Sequence, residues 1–259
     1  MNLRCILGCA ALITMSCCNP AFAGRPLAVD DAEPAAPQQF KFEAGVGLVG
    51  GHSVEHFDYP FALTYGVIPR LEAGIGFGGQ VEERQEALAE QKTVTDFGDL
   101  TLRAKGKVLT TDRWWADHAL AFTVKFPTAG YDKDMGSGKT DFDLTWIVSK
   151  PICEKWAAHL NTGYTWTGDH PRDKHDDILH YGIAVDYQSS EKIQFVGEMF
   201  ANTPITAENE TPVRINGGIR WQATDHLVLD AAVGTGIRRD PAELTATVGF
   251  ARAFGFTND

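Results

Sequence analysis

The amino-acid sequence predicts an all-β fold: a transmembrane, antiparallel up-and-down β-barrel of about 12 strands. Three observations predict it. From Phe40 onward, side chains alternate apolar and polar with period two, in runs of about ten residues bounded by turn residues. The links between runs alternate between short and long, and aromatic side chains gather at the run ends. Helical spacing hardly appears, and past the first 20 or so residues no window approaches the ~18 consecutive apolar residues of a spanning helix.

The chain has 259 residues, 44% hydrophobic and 22% charged, with a formal net charge of -11. That apolar fraction is too high for a disordered chain, and the acidic balance argues against nucleic acid as a partner. Residues 1–23 have a basic start (Arg4), an apolar stretch from Cys5 to Met15 and a small-x-small end in Ala21-Phe22-Ala23, the layout of a cleaved signal peptide. Lipidation at Cys9 or Cys17 is disfavoured, because Cys9 comes too early and the context of Cys17 is poor. Loss of the leader removes Cys5, Cys9, Cys17 and Cys18, so the mature chain keeps only Cys153, in a turn, and has neither an internal disulfide nor a thiolate zinc site. Residues 24–38 are rich in Pro, Ala and acids, which predicts a flexible periplasmic tether, and 39–259 form the barrel.

The runs follow in order. Phe42, Ala44, Val46 and Leu48 share one face, and Tyr59, Phe61, Leu63, Tyr65 and Val67 the next. After a turn at Ile68-Pro69-Arg70, Leu71, Ala73, Ile75 and Phe77 alternate with Glu72, Gly74, Gly76 and Gly78. Leu100, Leu102, Ala104, Gly106 and Val108 then alternate with Thr101, Arg103, Lys105 and Lys107, an apolar face against a cationic one. The remaining apolar faces begin at Leu120, Phe142, Trp156, Leu179, Ile193, Val213, Leu227 and Leu244.

A soluble sandwich also accepts alternating strands, but sandwich strands are usually five or six residues long, whereas ten match a tilted bilayer span. Short links at 68–70, 150–155, 188–192 and 222–226 face long polar ones at 79–96, 127–140, 168–177 and 202–212, as tight periplasmic turns face external loops. The link from Thr110 to Asp117 is longer than this rule prefers, and its Trp114-Trp115 pair marks an interface. Tyr65, Trp156, Tyr187 and Trp221 fall at the short-turn end, Tyr59, Trp166 and Tyr181 at the other, a double girdle. Closure satisfies every backbone group within lipid.

Phe97-Gly98-Asp99-Leu100-Thr101-Leu102-Arg103-Ala104-Lys105-Gly106-Lys107, Phe126-Pro127-Thr128, the stretch from Gly136 to Asp143 and His159-Leu160-Asn161-Thr162-Gly163-Tyr164 resemble the outer-membrane family named for the MetA pathway of phenol degradation. The resemblance covers about residues 40 to 256. It implies a monomeric barrel of a Gram-negative outer membrane that passes small, hydrophobic or aromatic compounds. Many such barrels end on an aromatic residue; here Phe254 and Phe256 are followed by Thr257-Asn258-Asp259, and alternation sets Arg252 on the lipid face.

The lumen is where alternation places chemistry. It receives Arg103, Lys105, Lys107, Lys125, Arg214 and Arg220, with Asp141, Asp143 and Glu198 and also Glu72, Asp99 and Asp230 as counter-charges, and His159 beside Asn161. Such mixed charge either tunes a wet channel or packs as salt bridges that hold the barrel shut. No cofactor, metal or catalytic residue is expected; the partners are outer-membrane lipid and lipopolysaccharide, the barrel-assembly machinery and a small-molecule solute. An outer-membrane lipid hydrolase is one alternative, but Leu160 stands where its serine is expected, between His159 and Asn161. A structural or adhesive barrel acting through its loops is another. Gly136-Ser137-Gly138-Lys139-Thr140 fails as a phosphate loop, since Lys133 stands at the first glycine position. Gly74-Ile75-Gly76-Phe77-Gly78 leaves space inside a barrel rather than binding a dinucleotide. The run from Asp169 to Asp177 offers oxygens and imidazoles to a cation, with a solvated loop as the simpler reading.

Overall fold

The computed structural model describes residues 24–50, 54–85, 91–130, 138–168, 177–204, 211–238 and 244–255. The leader, the core of the 169–177 run and most of 131–140 lie outside the described residues. Thirteen strands follow in order: β1 (Gln39–Gly50), β2 (Val54–Ile68), β3 (Leu71–Gln85), β4 (Gln91–Phe97), β5 (Leu100–Leu109), β6 (Asp117–Phe126), β7 (Asp141–Cys153), β8 (Trp156–Trp166), β9 (Ile178–Gln188), β10 (Ile193–Pro204), β11 (Val213–Thr224), β12 (Leu227–Arg238) and β13 (Leu244–Gly255).

Apart from β4 and β5, which both pair with β3, each strand pairs antiparallel with its sequence neighbours, and β1 pairs with both β2 and β13, so the sheet closes and has no free edge around the wall. The count of 12 wall strands holds because β4 and β5 are two parts of one. Both pair with β3, Gly79 opposite Phe97 and Gly76 opposite Thr101, with a one-residue irregularity at Gly98-Asp99. The 79–96 stretch, expected to be a loop, is therefore largely a hairpin. The sequence of this stretch is mostly polar, as a strand can be once it projects beyond the hydrocarbon. The 150–155 link is likewise shorter than expected: β7 runs on to Cys153, and only Glu154 and Lys155 turn.

Polarity is inverted relative to a soluble protein. Outward side chains such as Leu102 (45% exposed), Phe122 (45%), Ile183 (51%) and Val248 (59%) form an apolar belt, while Lys105 (1%), Glu198 (6%) and Arg220 (8%) are buried inside. In water such a belt would be an aggregation surface; in lipid it is solvated. Girdle aromatics pack in pairs, Trp156 with Tyr187 (4.7 Å) and Phe40 with Tyr65 (4.6 Å) at the short-turn end, and Tyr164 with Trp166 (4.9 Å) at the other. Trp115 at the short-turn end takes the Lys150 ammonium over its ring at 5.1 Å. Arg252 does point outward, beside Phe42 and Leu227 near the short-turn end, where an exposed guanidinium reaches headgroups.

Residues 24–38 are not a free tether. From Gln39 at the short-turn end the chain turns into the barrel, with Pro37 bridging Gly66 and Gln38 N–H donating to Gly66 C=O at 2.7 Å. Val29 (5% exposed), Asp30 (7%) and Ala32 (0%) are buried in the lumen. Composition alone predicts disorder here because the segment has little apolar surface of its own. The wall supplies the missing partners.

A candidate lumen site closed by the amino-terminal segment

The segment runs around the inside of the short-turn half, meeting successive strands. Ala35 N–H donates to Glu72 Oε2 on β3 at 2.6 Å, and Glu33 pairs with Lys107 on β5. Ala32 N–H donates to Ser149 Oγ on β7 at 2.8 Å. Further in, Ala28 and Val29 N–H both donate to the Glu198 carboxylate on β10, at 2.8 to 3.0 Å, and Asn216 Nδ2 donates to the same group at 2.6 Å. At the far end the Arg25 guanidinium reaches Asp230 Oδ1 (3.3 Å) and Thr247 Oγ1 (2.9 Å), while Arg220 Nε donates to Arg25 C=O (2.8 Å).

Asp30 sits at the centre of this ring. Arg103 Nη2 donates to it at 2.7 Å and Lys105 Nζ lies 3.3 Å away. Asn161, with its carboxamide turned to satisfy both atoms, donates to Asp30 C=O at 2.9 Å and accepts from Asp30 N–H at 2.7 Å. Burial pushes the Asp30 carboxyl upward, but Lys105 and then Arg103 prevail and hold it far below the usual carboxylate range. Burial raises the neighbouring Asp31 carboxyl above its ordinary value; Lys105 counters this and the charge of Asp30 adds to it.

Shape matches charge. Inward positions on β6 and β7 carry Ala119, Ala121 and Ile147 where a wet lumen would carry polar groups, and with Ala32 they form one buried apolar cluster. Glycines make the closest approaches. A β-carbon on Gly182 would come 2.7 Å from Val29 Cγ2, and one on Gly45 or Gly249 would run into the Arg25 guanidinium.

The predicted lumen residues divide into two tiers. Arg103, Lys105, Lys107, Asn161, Glu198 and Arg220 hold the inserted segment, and His159 supports it through Ser149 (Nδ1 to Oγ 2.8 Å). Lys125 bridges Asp99 (2.9 Å) and Asp141 (2.6 Å) nearer the long-loop end, and Asp143 bonds His180 (2.6 Å), Thr145 and Thr165. Arg214 also lies toward that end, opposite Phe200 and Gly236. Sequence reasoning missed Arg25, Asp30, Glu33, Ser149, Asp186 and His180. One signal was available: Asp30, Asp31 and Glu33 form an acidic cluster answering the cationic ladder of Arg103, Lys105 and Lys107.

Two openings accompany the segment. A polar cavity of about 120 Å³ lies between it and the small side chains of β2, β3 and β5, among Ala62, Thr64, Gly74, Gly76 and Thr101. An apolar recess of about 620 Å³ indents the wall over β1 and β11 to β13; lipid-facing Leu48, Ile215, Val233 and Leu244 rim it, and lumen-facing Asn216 and Thr245 reach its floor. Among the described residues no group of three or more His, Cys, Asp and Glu side chains could hold a metal ion.

No curated protein sequence matches the chain. Its fold is similar to that of the COG4313 outer membrane channel from Pseudomonas putida F1 (TM-score 0.70, 15% identity, 86% of this chain and 98% of that one). It is also similar to the NanC porin (0.59, 10%, 82% and 98%) and to the toluene transporter TodX of P. putida (0.54, 10%, 85% and 91%). A family model described as "Putative MetA-pathway of phenol degradation" matches residues 25–254, and the chain belongs to that family of outer-membrane barrels.

Proposed function

We propose that this protein is an outer-membrane channel that assists passive diffusion of small hydrophobic or aromatic solutes, works as a monomer without cofactor, and is held closed at rest by residues 24–38. The observation that carries the reading is the closure itself: a complete barrel wall encloses a segment bound mainly by polar contacts that water can replace. A structural barrel has no need of a removable filling, because its closed ladder already satisfies the backbone. The apolar recess, rimmed by lipid-facing side chains and floored by lumen-facing ones, supports an apolar solute rather than a sugar or an ion. The names of similar folds, a toluene transporter and a monoaromatic hydrocarbon channel, point the same way.

The test is uptake of radiolabelled toluene, phenol and a medium-chain alkane by cells with and without the gene, on outer membranes of equal integrity. Faster uptake of at least one compound with the gene supports the channel; equal uptake of all three removes it.

A lipid hydrolase is the second reading, and one row of contacts favours it. Ser149 Oγ meets His159 Nδ1 at 2.8 Å, and His159 Nε2 lies 3.5 Å from Asp186 Oδ2. Against it, Asp186 is engaged by Arg220 (3.1 Å), and Ser149 Oγ accepts the Ala32 N–H where a substrate carbonyl would have to sit. Phospholipid hydrolysis by the purified protein that Ser149→Ala abolishes would favour this reading.

A further inference from the structure

We infer that the inserted segment is locked by a new amino terminus: export processing cuts the chain between Ala23 and Gly24, and the released Gly24 ammonium pairs with the Glu43 carboxylate inside the lumen. Three observations meet at this point. Gly24 lines the 120 Å³ polar cavity together with Lys41 and Glu43, a space that holds a handful of waters. Glu43 offers one open oxygen: Lys41 Nζ takes Oε2 at 3.2 Å, while Oε1 faces Gly24, 3.3 Å from where its β-carbon would be, with no hydrogen-bond donor among the described residues. The Gly24 carbonyl is turned the other way, accepting from Leu27 N–H (3.0 Å) and Arg220 Nη2 (3.4 Å), which holds the residue beside Glu43.

The residue type fits as well. A β-carbon on Gly24 would crowd Glu43 Oε1 at 3.3 Å, and Gly24 follows the small-x-small triplet Ala21-Phe22-Ala23 that processing peptidases read. In the cut, water adds across the Ala23–Gly24 amide. The leader leaves with the Ala23 carboxylate, and Gly24 keeps the amine, which takes up a proton and is charged at neutral pH. Before the cut that nitrogen is a neutral amide with no charge to offer Glu43, so processing strengthens insertion, and Glu43 is the group on the wall that senses the finished end. This holds whichever solute passes.

Two measurements test it. Intact-mass analysis of protein extracted from outer membranes should give a chain that starts at Gly24 and has 236 residues; a start at another residue overturns the inference. The second uses chains refolded into detergent that carry Cys153→Ser with Ala32→Cys and Ser149→Cys, so that a disulfide reports the inserted state. One chain begins at Gly24, a second carries Ser-Gly-Ser-Gly before it, and a third begins at Gly24 with Glu43→Gln. All three should show the gel shift on heating of a closed barrel. The first should cross-link readily, and the others should cross-link about tenfold more slowly, the loss of one charge-assisted contact. Equal rates in all three, or no cross-link in the first, overturn the inference.

Discussion

Lys105→Met should release the inserted segment while leaving the barrel standing. Lys105 is 1% exposed, and its ammonium lies 3.3 Å from Asp30 Oδ2, 3.4 Å from Glu72 Oε1 and 3.9 Å from Asp31 Oδ1, besides donating to Asp31 C=O at 3.2 Å. At an effective dielectric of about 20, each contact near 3.4 Å amounts to about 5 kcal/mol of attraction, most of it offset by the desolvation of both ions. Removing one partner of such a buried cluster leaves its carboxylates uncompensated and costs about 3 to 5 kcal/mol. Here the chain can avoid part of that cost by undocking, which returns Asp30 and Asp31 to water, and Arg103 still holds Asp30 at 2.7 Å. The lower figure is thus the better guide, and about 3 kcal/mol shifts the ratio of inserted to released chains roughly a hundredfold. Single-channel conductance in planar bilayers should rise and the Ala32–Ser149 cross-link should fall, with the gel shift on heating intact. Adding Asp30→Asn and Asp31→Asn to Lys105→Met should restore most of the closure, because the uncompensated charges go with their partner. An unchanged conductance in Lys105→Met alone would refute the view that charge holds the segment in place.

Three further outcomes follow from the same geometry. Deleting residues 24–37 should raise conductance above that of any point variant without abolishing the gel shift on heating, since every wall strand keeps both neighbours. Glu198→Ala strands the Ala28 and Val29 N–H groups and should weaken closure by about 2 kcal/mol, read as a fall in cross-linking, whereas Glu198→Gln keeps an acceptor and should lose less. Asp31→Asn should act in the opposite direction to Asp30→Asn. Asp31 has its carboxyl raised on insertion, so its charged form opposes insertion, and closure weakens as pH rises through that raised value; Asp31→Asn should strengthen closure at pH 7 and remove this dependence, as conductance measured across the acid range will report. Asp30 has a lowered carboxyl, so its contribution is present above the unfolded value and disappears only in strong acid; Asp30→Asn should open the channel at pH 7.

The wall was legible in the sequence because lipid enforces alternation: Leu102 and Phe122 outside and Arg103 and Lys105 inside could not exchange faces without placing charge in hydrocarbon. Where that constraint ends, the signal ends with it. Gly79 to Asp96 reads as a loop because a hairpin in water needs no apolar face. The inserted segment was hidden for a related reason, as its contacts are made by backbone N–H groups on Ala28, Val29, Ala32 and Ala35, which every sequence carries. The trace it did leave is on the wall. Ala119, Ala121 and Ile147 are apolar at lumen positions, and Glu72, Ser149 and Glu198 are acceptors spaced around the circumference to meet N–H groups of a chain not yet identified.

The nature of those contacts decides what kind of closure this is. A plug fixed by a large apolar core would leave only with the barrel, since about 25 cal/mol is lost for each Å² of apolar surface returned to water. This segment commits little such surface: Val29 against Gly182 and Ala32 in its small cluster. Its remaining ties are carboxylates, ammonium groups and N–H donors, for which water is a substitute costing about 0.5 to 1.5 kcal/mol per neutral bond. Many weak, exchangeable ties arranged in a ring can be surrendered one after another, from Gly24 inward or from Pro37 outward, while the wall ladder keeps every bond. Closure and integrity of the barrel should therefore behave as separate equilibria in one chain, with the substitutions above moving the first and leaving the second in place.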